Sequence, residues 1–209
     1  MFFNRKLFQK KTNTNEKADN YVEKLKVNCI TIGVSAGGMN AMLQILPSLP
    51  INFPVPIVIV QHLHPHQGNF HIQYYQKRCK LKVCEASEKS AVVAGGIYFA
   101  PANYHLVIEN DKTFSLNIDR KINFSRPSID CLFFSASDVY RDKLLGILLT
   151  GANNDGAKGM KYIQINGGLT IVQDPKDAEV SSMPMSAIEI MKPDWILPLN
   201  KIAEKLMNL

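Results

Sequence analysis

The sequence has few cysteines and no long apolar run, and these absences narrow the class of protein. Its four cysteines show no C-x-x-C spacing, and a chain of 209 residues with 46% hydrophobic residues does not need disulfide bonds, so free thiols are expected. No apolar stretch approaches the roughly 20 residues of a membrane span, because glycine, proline or histidine interrupts each one. Arg5 comes too early for a signal peptide. We therefore expect a cytoplasmic protein without membrane insertion.

Acidic side chains are absent between Lys24 and Cys84. Residues 1–26 carry seven basic and three acidic side chains, which is +4 of the net charge of +6. This polar segment lacks apolar periodicity, so we predict a flexible basic N-terminal extension over 1–26 and one catalytic domain over 27–209. The acid-free stretch predicts a surface suited to an acidic partner. Nucleic-acid binding is not predicted, because the basic residues are not interleaved with aromatic ones.

Apolar strands alternate with helices along the rest of the chain. Continuous apolar strands are predicted over 27–33, 56–61 and 144–150, with a helix over 38–46 after the first. Such strands indicate a parallel sheet covered by helices on both faces, which is an α/β fold. Further predicted elements are helices over 69–79, 128–140, 155–165, 186–191 and 201–207, strands over 82–85, 96–100 and 169–172, and a hairpin formed by 105–108 and 114–118.

The first apolar strand leads into Gly33-Val34-Ser35-Ala36-Gly37, a G-x-S-x-G pattern. In a nucleophile elbow the glycines allow a sharp turn from strand to helix, and the serine hydroxyl is left exposed near helical N–H groups. A degraded dinucleotide motif is the alternative interpretation. That motif requires an acidic residue about 20 positions further on, and none occurs before Glu85.

Reactive residues follow three of the predicted strands. Ser35, His62 and Asp155 come after the first, second and third strongly apolar strands, whose carboxyl ends meet at one edge of an α/β sheet. They can act as nucleophile, general base and orienting acid. His62 is preferred because it directly follows its strand. A metal-dependent hydrolase that uses His62, His64 and His66 with Asp155 remains an alternative.

Several short motifs in order resemble the catalytic domain of the chemotaxis protein-glutamate methylesterases, the CheB family. The resemblance covers about residues 28–200 and rests on 32–38, 60–63, 98–101, 126–130, 149–151, 154–157 and 183–184. It implies a Rossmann-like, doubly wound and mainly parallel sheet with a β-hairpin insertion, and a catalytic triad of Ser35, His62 and Asp155. It also implies that no metal or organic cofactor is needed.

The activity implied by the resemblance is hydrolysis of glutamate γ-methyl esters on methyl-accepting receptors or other sensory proteins, with release of methanol. Deamidation of receptor glutamines is a related activity of the family. The backbone amides of Ala36 and Ala152 are the expected oxyanion donors. Arg126 and Met183 are expected to border the substrate groove.

The chain departs from the family pattern at three places. Ala36 replaces the usual threonine after the nucleophile, and Ala152-Asn153 replaces Met-Gly in the third loop. A receiver domain ahead of the catalytic region is not expected, because only about 26 polar residues precede it. Either the enzyme is constitutively active, or a separate response-regulator chain regulates it, or its substrate is a sensory protein outside chemotaxis. A non-catalytic or weakly active sensory scaffold with the same fold remains an alternative.

Overall fold

The structure is a computed structural model that describes residues 27–62 and 70–209. The strands in these ranges are β1 Cys29–Val34, β2 Ile57–Gln61, β3 Lys82–Glu85, β4 Gly96–Phe99, β5 His105–Ile108, β6 Phe114–Asn117, β7 Leu144–Leu148, β8 Leu169–Gln173 and β9 Trp195–Leu197. The α-helices are α1 Gly38–Ile45, α2 Phe70–Gln76, α3 Ile129–Tyr140, α4 Ala157–Ile165, α5 Ser182–Ile190 and α6 Leu199–Met207. Short 3₁₀ turns, Leu46–Ser48 and Arg141–Lys143, follow α1 and α3. None of these helices is long and apolar enough to cross a membrane.

Seven of the strands form one sheet in the order β3-β4-β2-β1-β7-β8-β9, and every neighbouring pair is parallel. The strands β5 and β6 form a separate antiparallel hairpin. The predicted Rossmann-like α/β fold with a hairpin insertion is therefore confirmed. The central strands β1, β2 and β7 are buried at every position, because their runs of apolar residues are covered on both faces.

Helices cover both faces of the sheet. One apolar core contains residues of α1 and α6 and the side chains of Ile30 and Ile32. The other contains residues of α3, α4 and α5 and lies on the side of Cys29. Gly33 allows α3 to approach this face, because a β-carbon at residue 33 would lie 2.3 Å from Cγ2 of Ile129. Gly33, which the sequence pattern predicts to help the turn at Ser35, is thus needed for the packing of α3 on the sheet.

The sheet order places a topological switch point at β1. The chain runs from β1 to β2 and then to the edge strand β3, places β4 between β3 and β2, and later returns to β7 on the other side of β1. Loops that leave the carboxyl ends of neighbouring strands at such a point enclose a crevice. Ser35, His62 and the residues that directly follow β7 therefore lie at this point of the sheet.

The boundaries of the C-terminal elements differ from the sequence prediction. Helix α5 begins at Ser182 rather than at 186, since Pro184 lies in its first turn, where proline is tolerated. The edge strand β9 has only three residues and was not predicted. The predicted extension over 1–26 lies outside the described residues.

Candidate active site

Ser35 follows β1 directly and begins a tight turn into α1. Its amide donates a hydrogen bond to the carbonyl of Thr150 (2.9 Å), and its carbonyl accepts one from Gly38 (2.8 Å). The residue with left-handed backbone geometry is Gly37, which has a φ of 78° and ends the turn. The strand-to-helix turn therefore uses a glycine two residues after the serine, and Ser35 itself is partly exposed.

His62 is the first residue after β2 and is paired with Asp155. The Nε2 atom of His62 lies 3.0 Å from Oδ2 of Asp155, with side-chain exposures of 13% and 0%. The amide of His62 donates to the carbonyl of Val34, the residue before Ser35 (3.0 Å). An ionised carboxylate only accepts hydrogen bonds, so Nε2 carries the ring proton. The nitrogen left to accept a proton is then Nδ1.

The carboxylate of Asp155 lies at the amino end of α3 and accepts five hydrogen bonds. Oδ2 accepts from Nε2 of His62 and from the amide of Ile129, at 3.0 and 2.7 Å. Oδ1 accepts from Nδ2 of Asn123, Oγ of Ser128 and the amide of Asp130, at 3.2, 2.9 and 3.1 Å. Burial alone would raise the pKa of Asp155, but the hydrogen bonds from His62 and the two amides outweigh it and hold the pKa below its usual value. Asp155 is thus ionised and orients the imidazole.

A second buried carboxylate, Asp130, lies beside Asp155. It accepts hydrogen bonds from the amide of Gly159 (2.7 Å) and from Nδ2 of Asn123 (3.0 Å). Burial, together with the charge of Asp155, raises the pKa of Asp130. Asn123 therefore links the two carboxylates through one amide group. Neither Asn123 nor Asp130 was predicted as a site residue, because only the fold brings them to the third loop.

Thr150 connects the turn at Ser35 to the third loop. Its hydroxyl contacts the carbonyls of Ala36 (2.9 Å) and Val180 (3.2 Å) and accepts from the amide of Val180 (2.9 Å). The next residue, Gly151, passes so close to the serine that a β-carbon there would lie 2.9 Å from Cβ of Ser35. The first and third loops are therefore in direct contact at the serine.

Ala36 and Ala152, whose backbone amides are the predicted oxyanion donors, are both exposed. Among the described residues, neither amide donates to a protein acceptor. Their role as oxyanion donors stays a prediction. Asn153 has no left-handed backbone angle, and its side chain accepts from the amide of Asp155 (3.1 Å).

Arg126 and Met183 are engaged within the protein. Nη1 of Arg126 donates to the carbonyls of Ile118 (2.7 Å) and Asp119 (3.0 Å). Met183 is fully buried, and its thioether packs against Gly151. Both side chains thus support loops of the site, and a direct contact of either with substrate stays a prediction.

His105 does not join the site as a catalytic group, because both of its ring nitrogens are engaged in hydrogen bonds. His105 is buried, accepts from the amide of Ser128 through Nδ1 (3.2 Å) and donates through Nε2 to the carbonyl of Arg120 (3.1 Å). His64 and His66 lie outside the described residues. Within 27–62 and 70–209, no three histidine, cysteine or acidic side chains are grouped as metal ligands.

The surface beside Ser35 is not free of acidic groups. Glu179 packs against Gly37, where a β-carbon would lie 2.7 Å from Cβ of Glu179, and it accepts a hydrogen bond from Asn40 (3.2 Å). The long acid-free stretch of sequence therefore does not produce an acid-free surface. A residue more than 140 positions away supplies the carboxylate.

Comparison with known proteins identifies the family of this fold and site. Residues 30–206 match the CheB methylesterase family. The chain belongs to the CheB methylesterase family. A protein of Leptospira interrogans is 54% identical over 185 residues, which are 88% of this chain and 96% of that protein.

A solved structure supports the same family. The crystal structure of the Thermotoga maritima CheB methylesterase catalytic domain superposes with a TM-score of 0.83 at 37% identity, covering 86% of this chain and 97% of that one. The full-length Thermotoga relative, named protein-glutamate methylesterase/protein-glutamine glutaminase, is 38% identical, and the matched region spans 53% of its length. The predicted family and the prediction of a carboxylic ester hydrolase are thus confirmed.

Proposed function

We propose that this chain hydrolyses glutamate γ-methyl esters on the helices of methyl-accepting receptors or related sensory proteins. The observation that supports this most directly is the partly buried 3.0 Å pair of His62 and Asp155, in which the amide of His62 donates to Val34, the residue before Ser35. CheB relatives bear the names of this activity, and the three residues lie beyond the carboxyl ends of β1, β2 and β7, at the switch point of the sheet.

The reaction proceeds through an acyl-enzyme. Oγ of Ser35 attacks the ester carbonyl while Nδ1 of His62 takes its proton, and Asp155 stabilises the imidazolium. The amides of Ala36 and Ala152 stabilise the oxyanion. His62 then returns the proton to the leaving methoxide, and methanol departs. Water, activated by His62, cleaves the acyl-enzyme to release the glutamate side chain and regenerate Ser35.

Deamidation of receptor glutamines is a second candidate activity, favoured by the glutaminase part of the relatives' names. The same acyl-enzyme forms, but His62 gives its proton to the departing amide nitrogen, which leaves as ammonia, instead of to methoxide. Both activities use Ser35 and need no metal in this proposal. Control by a separate response-regulator chain and a cytoplasmic location stay predictions.

Methanol release from methylated receptor membranes tests the proposal. We expect Ser35→Ala to lose a factor on the order of 10⁶ in kcat, as for removal of a triad nucleophile. Ser48→Ala is the matched control, because Ser48 lies beyond the other end of α1 and its hydroxyl bonds to Ile45. Full turnover by Ser35→Ala would refute the proposal.

Two further measurements separate the alternatives. A serine-reactive phosphonate should add its mass to wild type but not to Ser35→Ala, whereas a non-catalytic scaffold would remain unlabelled. Turnover that disappears after chelation and returns with added zinc would instead favour the metal hydrolase with His62, His64 and His66.

A further inference from the structure

The segment between β6 and α3, residues 118–126, exposes apolar side chains next to the active site. We call it the 118–126 loop. Ile118, Ile122 and Phe124 are 70%, 38% and 97% exposed. Single exposed apolar residues are common on protein surfaces, but three within seven residues form a local cluster that has no partner among the described residues.

The loop holds Phe124 in an unfavourable backbone conformation. Asn123 and Phe124 have φ angles of 49° and 63°, so two successive residues other than glycine are left-handed. Asparagine tolerates this region, but a bulky residue rarely adopts it. Such strain is found where the surrounding structure imposes it, often at functional sites.

This conformation belongs to a two-residue turn in which Ile122 and Ser125 exchange backbone hydrogen bonds (3.2 and 2.8 Å), and Asn123 ties the turn to two buried carboxylates. Nδ2 of Asn123 donates to Asp130 and Asp155 (3.0 and 3.2 Å). Nη1 of Arg126 donates to the carbonyls of Ile118 and Asp119 (2.7 and 3.0 Å). These bonds hold the 118–126 loop, and with it the exposed phenyl ring of Phe124, in place. Phe124 directly follows Asn123, which donates a hydrogen bond to the carboxylate of Asp155.

The loop also carries basic groups. Arg120 and Lys121 are exposed, and neither takes part in an ion pair found among the described residues. Asp119 is the single acidic side chain in the loop, so the exposed face carries a positive balance. An acidic helix with an apolar stripe complements this combination of cations and apolar side chains.

We propose that the 118–126 loop docks the substrate helix, with Phe124 as its apolar anchor and with Arg120 and Lys121 facing acidic side chains of that helix. This inference rests on the proposed methylesterase function. A helix docked on this loop would lie next to the proposed triad, because Asn123 of the loop and His62 donate to opposite oxygens of Asp155.

The test is the steady-state kinetics of methanol release from methylated receptor membranes by Phe124→Asn. Asparagine retains the left-handed backbone and removes the ring. We expect KM to rise about tenfold, which corresponds to about 1.4 kcal/mol, while kcat stays within about twofold of wild type. Ile51→Asn is the matched control, because Ile51 is 70% exposed and precedes β2. It therefore lies on the side of the amino ends of the strands, whereas the site lies beyond their carboxyl ends.

A charge reversal gives a second test that does not alter the strained position. Arg120→Glu combined with Lys121→Glu should raise KM at low salt, and the increase should shrink at about 0.5 M salt as screening weakens the charge interaction. An unchanged KM in both variants overturns the inference, as does a loss confined to kcat. The inference is also overturned if the wild-type protein is a dimer and the Phe124→Asn variant is a monomer, because the loop would then bind a second copy of this chain. Absence of turnover by wild type refutes the proposed function itself.

Discussion

Replacing Asp155 by asparagine changes a group that is surrounded by hydrogen-bond donors. Five donors surround the carboxylate, two at Oδ2 and three at Oδ1. An amide side chain has one acceptor oxygen, and its nitrogen is itself a donor. The donors at one of the two oxygen positions must therefore lose their acceptor, and the structure indicates at which position this occurs.

The amide nitrogen is better accommodated at Oδ2. There it faces Nε2 of His62, which becomes an acceptor when the ring proton moves to Nδ1, and only the amide of Ile129 is left unsatisfied. At Oδ1 the nitrogen would face Asn123 and the amide of Asp130 as well as the hydroxyl of Ser128. One buried donor without an acceptor costs about 1–3 kcal/mol. The preferred orientation therefore gives a folded variant in which Nδ1 of His62 carries a proton and cannot accept the one from Ser35.

We expect Asp155→Asn to lower kcat by about 10⁴, the size of the effect when a triad histidine has the wrong tautomer. The melting temperature should fall by roughly 2–12 °C, given about 2–4 °C per kcal/mol for a chain of this size. Methanol release and thermal unfolding monitored by circular dichroism measure the two effects separately. Asp138→Asn is the control, because Asp138 is an exposed carboxylate in the last turns of α3, whose amino end contacts Asp155. A folded Asp155→Asn protein with kcat within tenfold of wild type would refute the tautomer argument.

Two further predictions concern stability. The pKa of Asp155 is below its usual value in the folded protein, so its stabilising contribution is present above pH about 4 and is lost as the pH falls through the folded-state pKa. The difference in melting temperature between wild type and Asp155→Asn should then narrow from pH 6 to pH 3, and a difference that stays constant would contradict the pKa shift. Gly33→Ala places a β-carbon 2.3 Å from Ile129, and we expect about 1–3 kcal/mol of destabilisation in urea unfolding. An unchanged midpoint would show that α3 can move aside.

The sheet was predictable because its central strands are continuous apolar runs that end at glycine, proline or polar residues. Ser35, His62 and Asp155 were predicted as site residues from their places after those strands. The surroundings of Asp155 were not predictable, because the amino end of α3 reaches the carboxylate only through tertiary packing. The same holds for Glu179, which reaches Gly37 from the far end of the chain. The strand β9 was missed since three residues show no periodicity.

The hydrogen bond from the amide of His62 to the carbonyl of Val34 has a consequence for how the site tolerates change. It continues the parallel ladder of β1 and β2, in which Val34 lies opposite Gln61. The separation between Ser35, the proposed nucleophile, and His62, the proposed base, is thereby set by strand register, and a shift of β2 by one residue would turn the side chain of His62 to the other face of the sheet. Substitutions such as Ala36, Ala152 and Asn153 lie in the loops outside this ladder. Sequence drift in those loops can retune the rate while the sheet preserves the alignment of the serine and histidine.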